Sequence, residues 1–499
     1  MNASTLSQLD YEIVIVGAGI SGIGTAIKLK ENGMNSFVLL EKEGELGGTW
    51  RDNKYPGVAV DIPSSSYSFS FELNPNWSRV FAPGQEIQEY VQHCAEKYCI
   101  KQHIRYHSRV EKTDFSNRDN TWTTFFSDGS QLRSRYIISA TGVLNQPVLP
   151  NISGIEKFKG DAFHTARWND SCDLNDKRVA IIGTGASAVQ VIPSIASSVG
   201  KLSVFQRTPI WVSRKRDTKI RQEYKDKFSQ YPLYQRYFRM RSEIFMEAAA
   251  FTTVNHKRMP WLTNAVEDHC RGFLKKEVQD PAIRDQLTPH YGFGCKRPAV
   301  SNDYLKTFNR DNVDLITEGI QEITDTGVIT NDGICHEVDI IIWATGFKTQ
   351  EIGNAPSFEV YGLDGLELGQ YWHLNRYQAY FGVSVPKFPN YFLTYGPYSG
   401  GLNWFSMLED NVKYIIRCLK KAEKKNKTYI EVKQKAHDRY FRSMVKRSNG
   451  TVFKDNACIE ANSYYLDRHG DASSPSPYTP AQRWFRVRTS RLSAYQFST

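Results

Sequence analysis

The chain has 499 residues, of which 40% are hydrophobic and 23% charged, as expected for a globular protein of two or three domains. Its formal net charge is +10 at pH 7, but no nucleic-acid-binding motif accompanies the charge, so we expect no nucleic-acid partner. The eight cysteines include no C-x-x-C pair, which excludes a redox dithiol and a cysteine zinc site, predicts no metal, and favours reduced thiols in a cytoplasmic protein.

The first predicted elements form a dinucleotide-binding unit. No secretory signal is expected ahead of them, because the N-terminus has neither a basic nor an apolar segment. An apolar strand over 11–16 leads through a glycine turn into a helix, and a second strand over 37–40 ends at an acid. The glycines permit a tight turn, a close approach to a pyrophosphate and close helix packing, while the acid accepts hydrogen bonds from ribose hydroxyls. The expected cofactor contacts are Gly17, Gly19, Ser21, Gly22 and Glu41.

A second unit of the same kind follows. Its uncharged stretch 179–200 is long enough to span a membrane, but the glycine turn inside it predicts a nucleotide-binding helix instead. Arg207 stands 24 residues after the first glycine of this turn, the same spacing that separates Glu41 from its own glycine. Glu41 suits the free 2′-hydroxyl of FAD, whereas Arg207 with Thr208 suits the 2′-phosphate of NADPH; the alternative is an ordinary surface arginine after a strand. The other expected contacts are Gly183, Thr184, Gly185, Ala186, Ser187, Ala188 and Gln190.

Two further apolar strands, over 136–142 and 339–346, both end in Ala-Thr-Gly. Such strands end where a chain crosses between two nucleotide domains. The predicted fold class is therefore α/β, with two Rossmann-like dinucleotide-binding domains. We expect residues 1–145 and 335–499 to form a discontinuous FAD-binding domain, and residues 146–334 to form an NADP-binding domain inserted into it.

A helical insertion is predicted within the NADP domain, over about 217–287, because this stretch lacks glycine up to Gly272 and is rich in charged and aromatic residues. Pro232, Pro260 and Pro281 mark breaks between its helices. We expect its aromatic residues to pack the helices onto the nucleotide domain; lining of a substrate channel and contact with a membrane are the alternatives. These residues are Phe228, Tyr231, Tyr234, Tyr237, Phe238 and Phe245.

The C-terminal region 411–499 carries the positive excess, with 19 Lys and Arg against 7 Asp and Glu. We interpret it as a solvated helical face and a basic terminal segment. Nucleic acid and an anionic membrane are the alternative partners for such a charge.

Two longer motifs accompany the nucleotide units. The first contains Gly47-Gly48-Thr49-Trp50, Tyr55-Pro56-Gly57 and Asp61, and the second contains Phe158, Gly160, His164 and Trp168. On both motifs the chain resembles the Baeyer–Villiger monooxygenases, which are single-chain, FAD-containing, NADPH-dependent class B flavoprotein monooxygenases, and the resemblance covers nearly its whole length. Asn169 departs mildly from the family, which has Pro or Asp there. Related N-hydroxylases and flavin-containing monooxygenases usually carry another residue at Trp168 and lack the counterpart of Asp61.

The resemblance implies a catalytic centre around a third match, Gly294-Cys295-Lys296-Arg297-Pro298. In the family the lysine binds the NADP 2′-phosphate and the arginine points at the flavin, so Lys296 would join the cations of the second unit and Arg297 would be catalytic. A permanently charged guanidinium suits the anion of a peroxyflavin and the tetrahedral adduct formed with a ketone. Asp61 would pair with Arg297 and fix its position. Without the motifs, the Lys-Arg pair would be read as surface charge and Asp61 as a helix cap.

The resemblance also implies weaker assignments. Gly48, Thr49, Trp50, Tyr67 and Val110 match positions that contact FAD. Gly396-Pro397 and Asn403-Trp404 resemble the loop and helix start beside the flavin ring, and 458–465 resembles a Ser-Trp-Tyr stretch in which Tyr464 replaces the tryptophan. His164 would couple the domains and is not expected to be a general base.

The function implied by the family is the NADPH- and O2-dependent conversion of a ketone into an ester or lactone through a peroxyflavin. One alternative is a flavin monooxygenase that oxygenates sulfur or nitrogen. An alternative of another class is a sensor that binds FAD and NADP without catalysis. The Lys296-Arg297 pair and Asp61 count against the sensor, because binding alone does not need a guanidinium at the flavin.

Overall fold

The computed structural model of the protein describes residues 8–349, 351–455, 457–458, 461 and 463–499. Residues 1–7, to which the prediction of no secretory signal refers, lie outside this part, as do Ile459, Glu460 and Asn462 of the predicted C-terminal stretch. The strands are β1 (Tyr11–Val16), β2 (Phe37–Leu40), β3 (Ile104–Arg105), β4 (Val110–Ser116), β5 (Thr121–Phe126), β6 (Gln131–Ser139), β7 (Asp161–His164), β8 (Arg178–Ile182), β9 (Lys201–Phe205), β10 (Val212–Ser213), β11 (Ala299–Val300), β12 (Val313–Ile316), β13 (Ile320–Ile323), β14 (Gly327–Thr330), β15 (Cys335–Glu337), β16 (Ile340–Trp343), β17 (Glu359–Tyr361), β18 (Tyr391–Leu393), β19 (Tyr429–Val432) and β20 (Tyr495–Ser498). The helices are α1 (Ile20–Glu31), α2 (Thr49–Asp52), α3 (Gly84–Lys97), α4 (Ala186–Ile195), α5 (Gln222–Gln230), α6 (Pro232–Val254), α7 (Pro260–Glu277), α8 (Pro281–Leu287), α9 (Tyr304–Thr307), α10 (Leu368–Asn375), α11 (Trp404–Lys424), α12 (Gln434–Ser448) and α13 (Pro480–Thr489).

The first sheet is built around β1, which pairs in parallel with β2 on one side and β6 on the other. Its order is β17-β4-β5-β6-β1-β2-β3, and β18 also pairs with β6. All of β2 and the last four residues of β1 are buried, which explains why both strands are continuous apolar runs and do not alternate. Helix α1 packs on these strands and is buried over most of its length. The predicted strand–turn–helix–strand unit is confirmed.

The second sheet has the order β12-β9-β8-β16-β7 and is parallel throughout. Strand β16 lies between β7 and β8. The predicted boundary between residues 334 and 335 is therefore too early, because the chain leaves the second sheet only after Trp343. Pairing with distant strands decides this boundary, and no local pattern reveals it. The predicted α/β class with two such sheets is confirmed.

The helical insertion consists of α5 to α8, and Pro232, Pro260 and Pro281 each open a helix. Proline suits this position because its missing N–H would have no partner in the first turn. The aromatic residues were predicted to pack the helices onto the nucleotide domain, but three of them contact one another within the insertion: Phe228, Tyr234 and Phe238. The prediction is wrong for the other three, which are exposed: Tyr231, Tyr237 and Phe245.

The basic C-terminal region packs beside the first sheet through α11, α12, α13 and the β19–β20 pair. Several of its arginines hold this packing together. Arg417 donates to the Ser490 carbonyl at 2.6 Å, and Arg488 pairs with Asp410 at 2.6 Å. The predicted solvated face therefore accounts for only part of the positive charge.

The prediction that all thiols are reduced is wrong for one pair, because Cys295 and Cys458 form a disulfide. They are 163 residues apart in the sequence, so their spacing could not indicate the bond. It ties the segment around Arg297 to the C-terminal loop. Within the described residues, no cluster of His, Cys, Asp and Glu is arranged to hold a metal ion. None of the described helices combines the length and apolarity that a bilayer crossing needs.

Candidate cofactor and active site

The turn before α1 has the shape of a pyrophosphate cradle. Gly19 forms a bridge with Gly47, and a Cβ on Gly19 would stand 3.7 Å from the Cα of Gly48. Gly19 is also the N-cap of α1 and brings no side chain to cap it. The first amides of α1 are therefore available to an anion, as in dinucleotide sites. This arrangement fits the pyrophosphate of FAD.

The first position of each turn must be glycine because of the strand that ends behind it. A Cβ on Gly17 (φ +107°) would stand 2.7 Å from the Ala140 carbonyl oxygen, and one on Gly183 (φ +109°) 2.5 Å from the Ala344 carbonyl oxygen. Each turn is thus braced by an Ala-Thr-Gly strand end. A Cβ on Gly22 would collide with the Gly17 carbonyl oxygen.

Glu41 lies at the end of β2 and is buried. Its carboxylate accepts from the Ala18 amide at 2.9 Å and pairs with Arg51 at 3.2 Å. Val110 is close by in the fold, since the Ser108 amide donates to the Glu41 carbonyl at 2.8 Å. Two of the predicted FAD contacts, Glu41 and Val110, therefore lie on neighbouring segments of the fold.

Three other predicted FAD contacts lie on one wall of a cavity. The Trp50 and Tyr67 rings meet edge to face at 5.5 Å, and Thr49 lines the cavity beside them. Burial raises the pKa of Tyr67, so its hydroxyl stays protonated. The Ser21 hydroxyl accepts from Trp404 Nε1 at 2.9 Å, which ties α1 to the start of α11.

The two residues predicted to be catalytic form a bidentate ion pair. Arg297 donates from Nε to Asp61 Oδ2 at 2.5 Å and from Nη2 to Oδ1 at 2.8 Å. Burial raises the pKa of Asp61, but the charge and hydrogen bonds of Arg297 outweigh it and hold that pKa below its usual value. The charge of Asp61 in turn raises the pKa of Arg297. Both groups are therefore ionised at neutral pH, and their side chains are 29% and 30% exposed on the cavity wall.

The first of the two motifs, from Gly47 to Asp61, bridges the two dinucleotide units. Burial raises the pKa of Tyr55, and the nearby Ser187 side chain, in the first turn of α4, partly offsets this. Four residues later, the Ala59 amide donates to Gln190 Oε1 at 2.7 Å. The loop therefore runs along α4 before it reaches Asp61. Ser187 and Gln190, which the sequence predicts as NADP contacts, therefore lie against the loop that leads to Asp61.

The cations predicted to hold a 2′-phosphate come together beside β9. Burial, and then the charge of Arg207, lower the pKa of Lys296 to about 8. The Lys296 ammonium lies 5.6 Å from the centre of the Tyr291 ring. The Thr184 hydroxyl donates to the Thr208 carbonyl at 3.0 Å, which attaches the segment next to Arg207 to the glycine turn. Two cations close enough to repel each other suit a dianionic phosphate.

The second turn also leaves space for a pyrophosphate. A Cβ on Gly185 would meet no atom within 4 Å, and Gly185 brings no side-chain cap to α4. Ala186 follows it and lines the cavity, while Ala188 is buried and replaces the third glycine of the first turn. The first amides of this ten-residue helix therefore fit the pyrophosphate of NADP.

The second motif, from Phe158 to Trp168, lies beside the segment where the chain returns from the second sheet to the first. His164 is buried, its Nδ1 accepts from the Ala166 amide at 3.0 Å, and its ring lies 5.6 Å from that of Phe347. Burial lowers the pKa of His164, and a hydrogen bond with the Gly346 backbone offsets this in part. A neutral, buried imidazole at the crossover suits the coupling of domains better than proton transfer.

A cavity of about 840 Å³ joins the two units at the Asp61–Arg297 pair. The helical insertion contributes Met246, Ala250 and Val254 of α6 to its wall. Most of the remaining lining is apolar or aromatic, and its other charged residues are Arg239, Glu243, Glu247, Glu409, Asp410, Arg483 and Arg488. Other lining residues are Val143, Leu402, Trp404, Met407, Tyr464 and Tyr465.

Comparisons with known proteins identify the family. A family model described as pyridine nucleotide-disulphide oxidoreductase matches residues 14–258. A Baeyer–Villiger monooxygenase of Pseudomonas aeruginosa is 34% identical over 495 residues, which cover 98% of this chain and 92% of that protein. The chain belongs to the Baeyer–Villiger monooxygenase family. A Baeyer–Villiger monooxygenase of Streptomyces coelicolor is 33% identical and covers 97% of this chain and 92% of its own.

Solved structures of two monooxygenases share the whole fold. A steroid monooxygenase bound to NADP has a TM-score of 0.87 at 26% identity, over 98% of this chain and 99% of its own. Cyclohexanone monooxygenase from a Rhodococcus species, bound to NADP⁺, has a TM-score of 0.86 over 99% and 100% of the two chains; at 24% identity this shows the fold alone. The prediction of an FAD-dependent enzyme of the Baeyer–Villiger monooxygenase family is confirmed.

Sequence reasoning missed several residues of this site. The Leu402 carbonyl lies 3.5 Å from Arg297 Nη2, and a backbone contact of this kind leaves no sequence pattern. Lys215 lies near Asp61, and burial lowers its pKa against the opposing charges of Asp217 and Asp61. For the helical insertion, the channel-lining alternative was weighed for aromatic residues only, whereas the residues of α6 that line the cavity include Met246, Ala250 and Val254.

Proposed function

We propose that this member of the Baeyer–Villiger monooxygenase family uses NADPH and O2 to convert a ketone into an ester or lactone, with FAD as its flavin. Ketone, NADPH, a proton and O2 give the ester, NADP⁺ and water, so one oxygen atom enters the product. The ionised pair of Arg297 and Asp61, on the cavity wall between the two cradles, carries the proposal. The NADP bound in the structure of the related steroid monooxygenase supports the choice of NADPH as the coenzyme.

When FAD is bound and reduced, it supplies the activation of O2. The guanidinium of Arg297 then offers N–H donors to the negative charge that develops on oxygen as the ketone is attacked. Asp61 occupies Nε and one hydrogen of Nη2, which fixes the guanidinium plane and leaves Nη1 for another acceptor. Asp61 is thus a positioning residue for Arg297.

The cofactor assignments and the domains belong to the same proposal. FAD would occupy the cradle at Gly19 and NADPH the one at Gly185, with Lys296 and Arg207 on its 2′-phosphate. The FAD domain would comprise residues 1–145 and 344–499, and the NADP domain residues 146–343. We propose a cytoplasmic location for the enzyme.

The proposal is tested by incubating the purified FAD-loaded protein with NADPH, O2 and a panel of cyclic, linear and aryl ketones and sulfides. Products are identified by mass, with ¹⁸O2 as the oxygen source. We expect an ester or lactone that carries one ¹⁸O atom. Sulfoxides or N-oxides without any ester would indicate the alternative oxygenase, and NADPH binding without turnover on any substrate would indicate the sensor.

The pKa of Lys296 predicts a pH dependence. Because Lys296 is protonated below about pH 8 and neutral above it, its contact with the phosphate is present at pH 7 and lost as the pH rises. We expect kcat/KM for flavin reduction by NADPH to fall by roughly tenfold above that pH, since this ratio reports ionisations of the free enzyme. NADH, which lacks the phosphate, and the Lys296→Arg variant should show no such fall. A fall that persists in Lys296→Arg would contradict this assignment.

A substitution at Gly57 tests whether the contact between α4 and the loop that leads to Asp61 fixes the position of Asp61. Its φ is +82°, and a Cβ there would collide with the Ser194 hydroxyl and stand 2.7 Å from the Gln190 carbonyl oxygen. We expect Gly57→Ala to push the loop off α4, displace Asp61, and lower the ester formed per NADPH by roughly tenfold. Gly33→Ala is the matched control, because Gly33 also has a positive φ of +79° but open space around it. Equal effects of the two substitutions would show that backbone strain alone is responsible.

A further inference from the structure

The insertion exposes an unusually apolar surface. Within 231–261, all of which the structure describes, sixteen residues are exposed; nine are large and apolar or aromatic, four are Lys or Arg, and none is acidic. These nine are half of the 18 exposed large apolar residues in the described part of the chain. Contiguous exposed apolar patches of this kind mark interaction sites. The nine residues are Tyr231, Leu233, Tyr237, Met240, Ile244, Phe245, Phe251, Met259 and Trp261.

Most of this surface is one stripe of α6. Leu233, Tyr237, Met240, Ile244 and Phe251 follow one another at intervals of four, three, four and seven residues, which places them on the same side of a helix. The side turned to the protein carries polar as well as apolar residues, since Gln235 and Arg239 are buried there. The helix therefore exposes an apolar side that no described part of the chain covers.

The C-terminal helix extends the stripe. The Ala481 amide at the start of α13 donates to Glu247 of α6 at 2.9 Å, so the two helices lie side by side. Trp484 and Phe485 of α13 are exposed, at 52% and 61%. The guanidinium of Arg488 lies 4.2 Å from the centre of the Trp484 ring. We call these two residues and the nine above the apolar surface.

The charges around the apolar surface indicate its partner. Its exposed cations are Arg236, Arg241, Lys257 and Arg258. Both glutamates of α6 already have partners: Glu243 pairs with Arg239 at 2.7 Å, and Glu247 accepts a hydrogen bond from the Ala481 amide of α13. In a symmetric dimer this positively charged surface would face its own copy, and the two would repel each other. We propose that the apolar surface docks on an anionic membrane, where tryptophan and tyrosine favour the interface and the cations meet lipid phosphates.

Docking would place the cavity mouth against the lipid. Met240, Ile244 and Trp484 are exposed on the apolar surface and also line the cavity that contains Arg297. A lipid-dissolved molecule could therefore enter without crossing water. The corresponding substrate class is a lipophilic ketone held in the bilayer; this substrate class rests on the proposed function, whereas docking itself does not.

The test is sedimentation of the FAD-loaded protein with vesicles of phosphatidylcholine alone and with vesicles that also contain phosphatidylglycerol. We expect binding to the anionic vesicles, weakened by salt. The triple variant Leu233→Ser, Phe245→Ser, Trp261→Ser changes exposed residues outside the cavity wall and should lower the partition coefficient roughly tenfold or more. Its FAD content and Tm should stay unchanged.

A matched triple variant elsewhere serves as the control: Leu149→Ser, Ile334→Ser and Leu374→Ser change exposed apolar residues outside this surface and should leave binding unchanged. If the first triple loses FAD, Arg236→Glu with Arg241→Glu replaces it and should also release the protein. No binding by the unmodified protein, or equal loss in both triples, would overturn docking. So would a dimer in sedimentation velocity that the first triple dissociates, because a second copy would then cover the surface. Vesicle binding without ketone turnover would refute only the proposed function.

Discussion

Arg297→Ala is expected to abolish most ester formation while flavin reduction by NADPH continues. Loss of one preorganised donor to a developing oxyanion lowers kcat by roughly 100- to 1,000-fold, or about 3–4 kcal/mol of barrier. The coenzyme should still bind through Lys296 and Arg207, so the first half-reaction should persist near its native rate. Reducing equivalents should then leave as hydrogen peroxide. Stopped-flow absorbance separates the two half-reactions, and peroxide is measured at the end.

The role of Asp61 is tested in the same assay. If Asp61 acts by positioning Arg297, Asp61→Ala should have a smaller effect, and the double variant should resemble Arg297→Ala alone. Additive effects would show that Asp61 acts independently. Arg178→Ala is the control for loss of an arginine–aspartate pair, since Arg178 pairs with Asp339 at 2.8 Å at the start of β8. Ester formation by Arg297→Ala at a near-native rate would remove this residue from the catalytic centre.

The second large effect concerns the coenzyme. NADPH should be preferred to NADH by roughly 100- to 10,000-fold in KM, because each of two charge-assisted contacts to the phosphate is worth about 1.5–3 kcal/mol. Arg207→Ala and Lys296→Ala should each raise the KM for NADPH by roughly 10- to 100-fold and leave that for NADH unchanged. Initial rates of flavin reduction with both coenzymes measure this.

Lys201→Ala is the matched control. Lys201 begins the strand that precedes Arg207, at the end of the strand far from Arg207, and it pairs with Asp314 at 2.7 Å. It should leave both constants unchanged. Equal KM values for NADPH and NADH in the unmodified enzyme would refute the assignment of the 2′-phosphate site.

Both glycine turns could be predicted from the sequence because their causes are local. Positions 17 and 183 require glycine because each has a positive φ and a backbone carbonyl where a Cβ would stand. The strand ends that supply these carbonyls also have a recognisable sequence, Ala-Thr-Gly. The pairing of Asp61 with Arg297 was predicted through the family resemblance. The two residues are 236 positions apart, and composition or spacing alone could not bring them together.

The sequence by itself therefore determined what local backbone chemistry specifies: the α/β units, their glycine turns, and helices that begin at proline. Only the tertiary structure decided what depends on distant partners. Strand β16 belongs to the second sheet because β7 and β8 enclose it. Cys295 meets Cys458 because the C-terminal loop returns to the cavity. The outer side of α6 stays exposed because no other part of the described chain packs over it, and periodicity cannot tell an apolar stripe in a core from one on a surface.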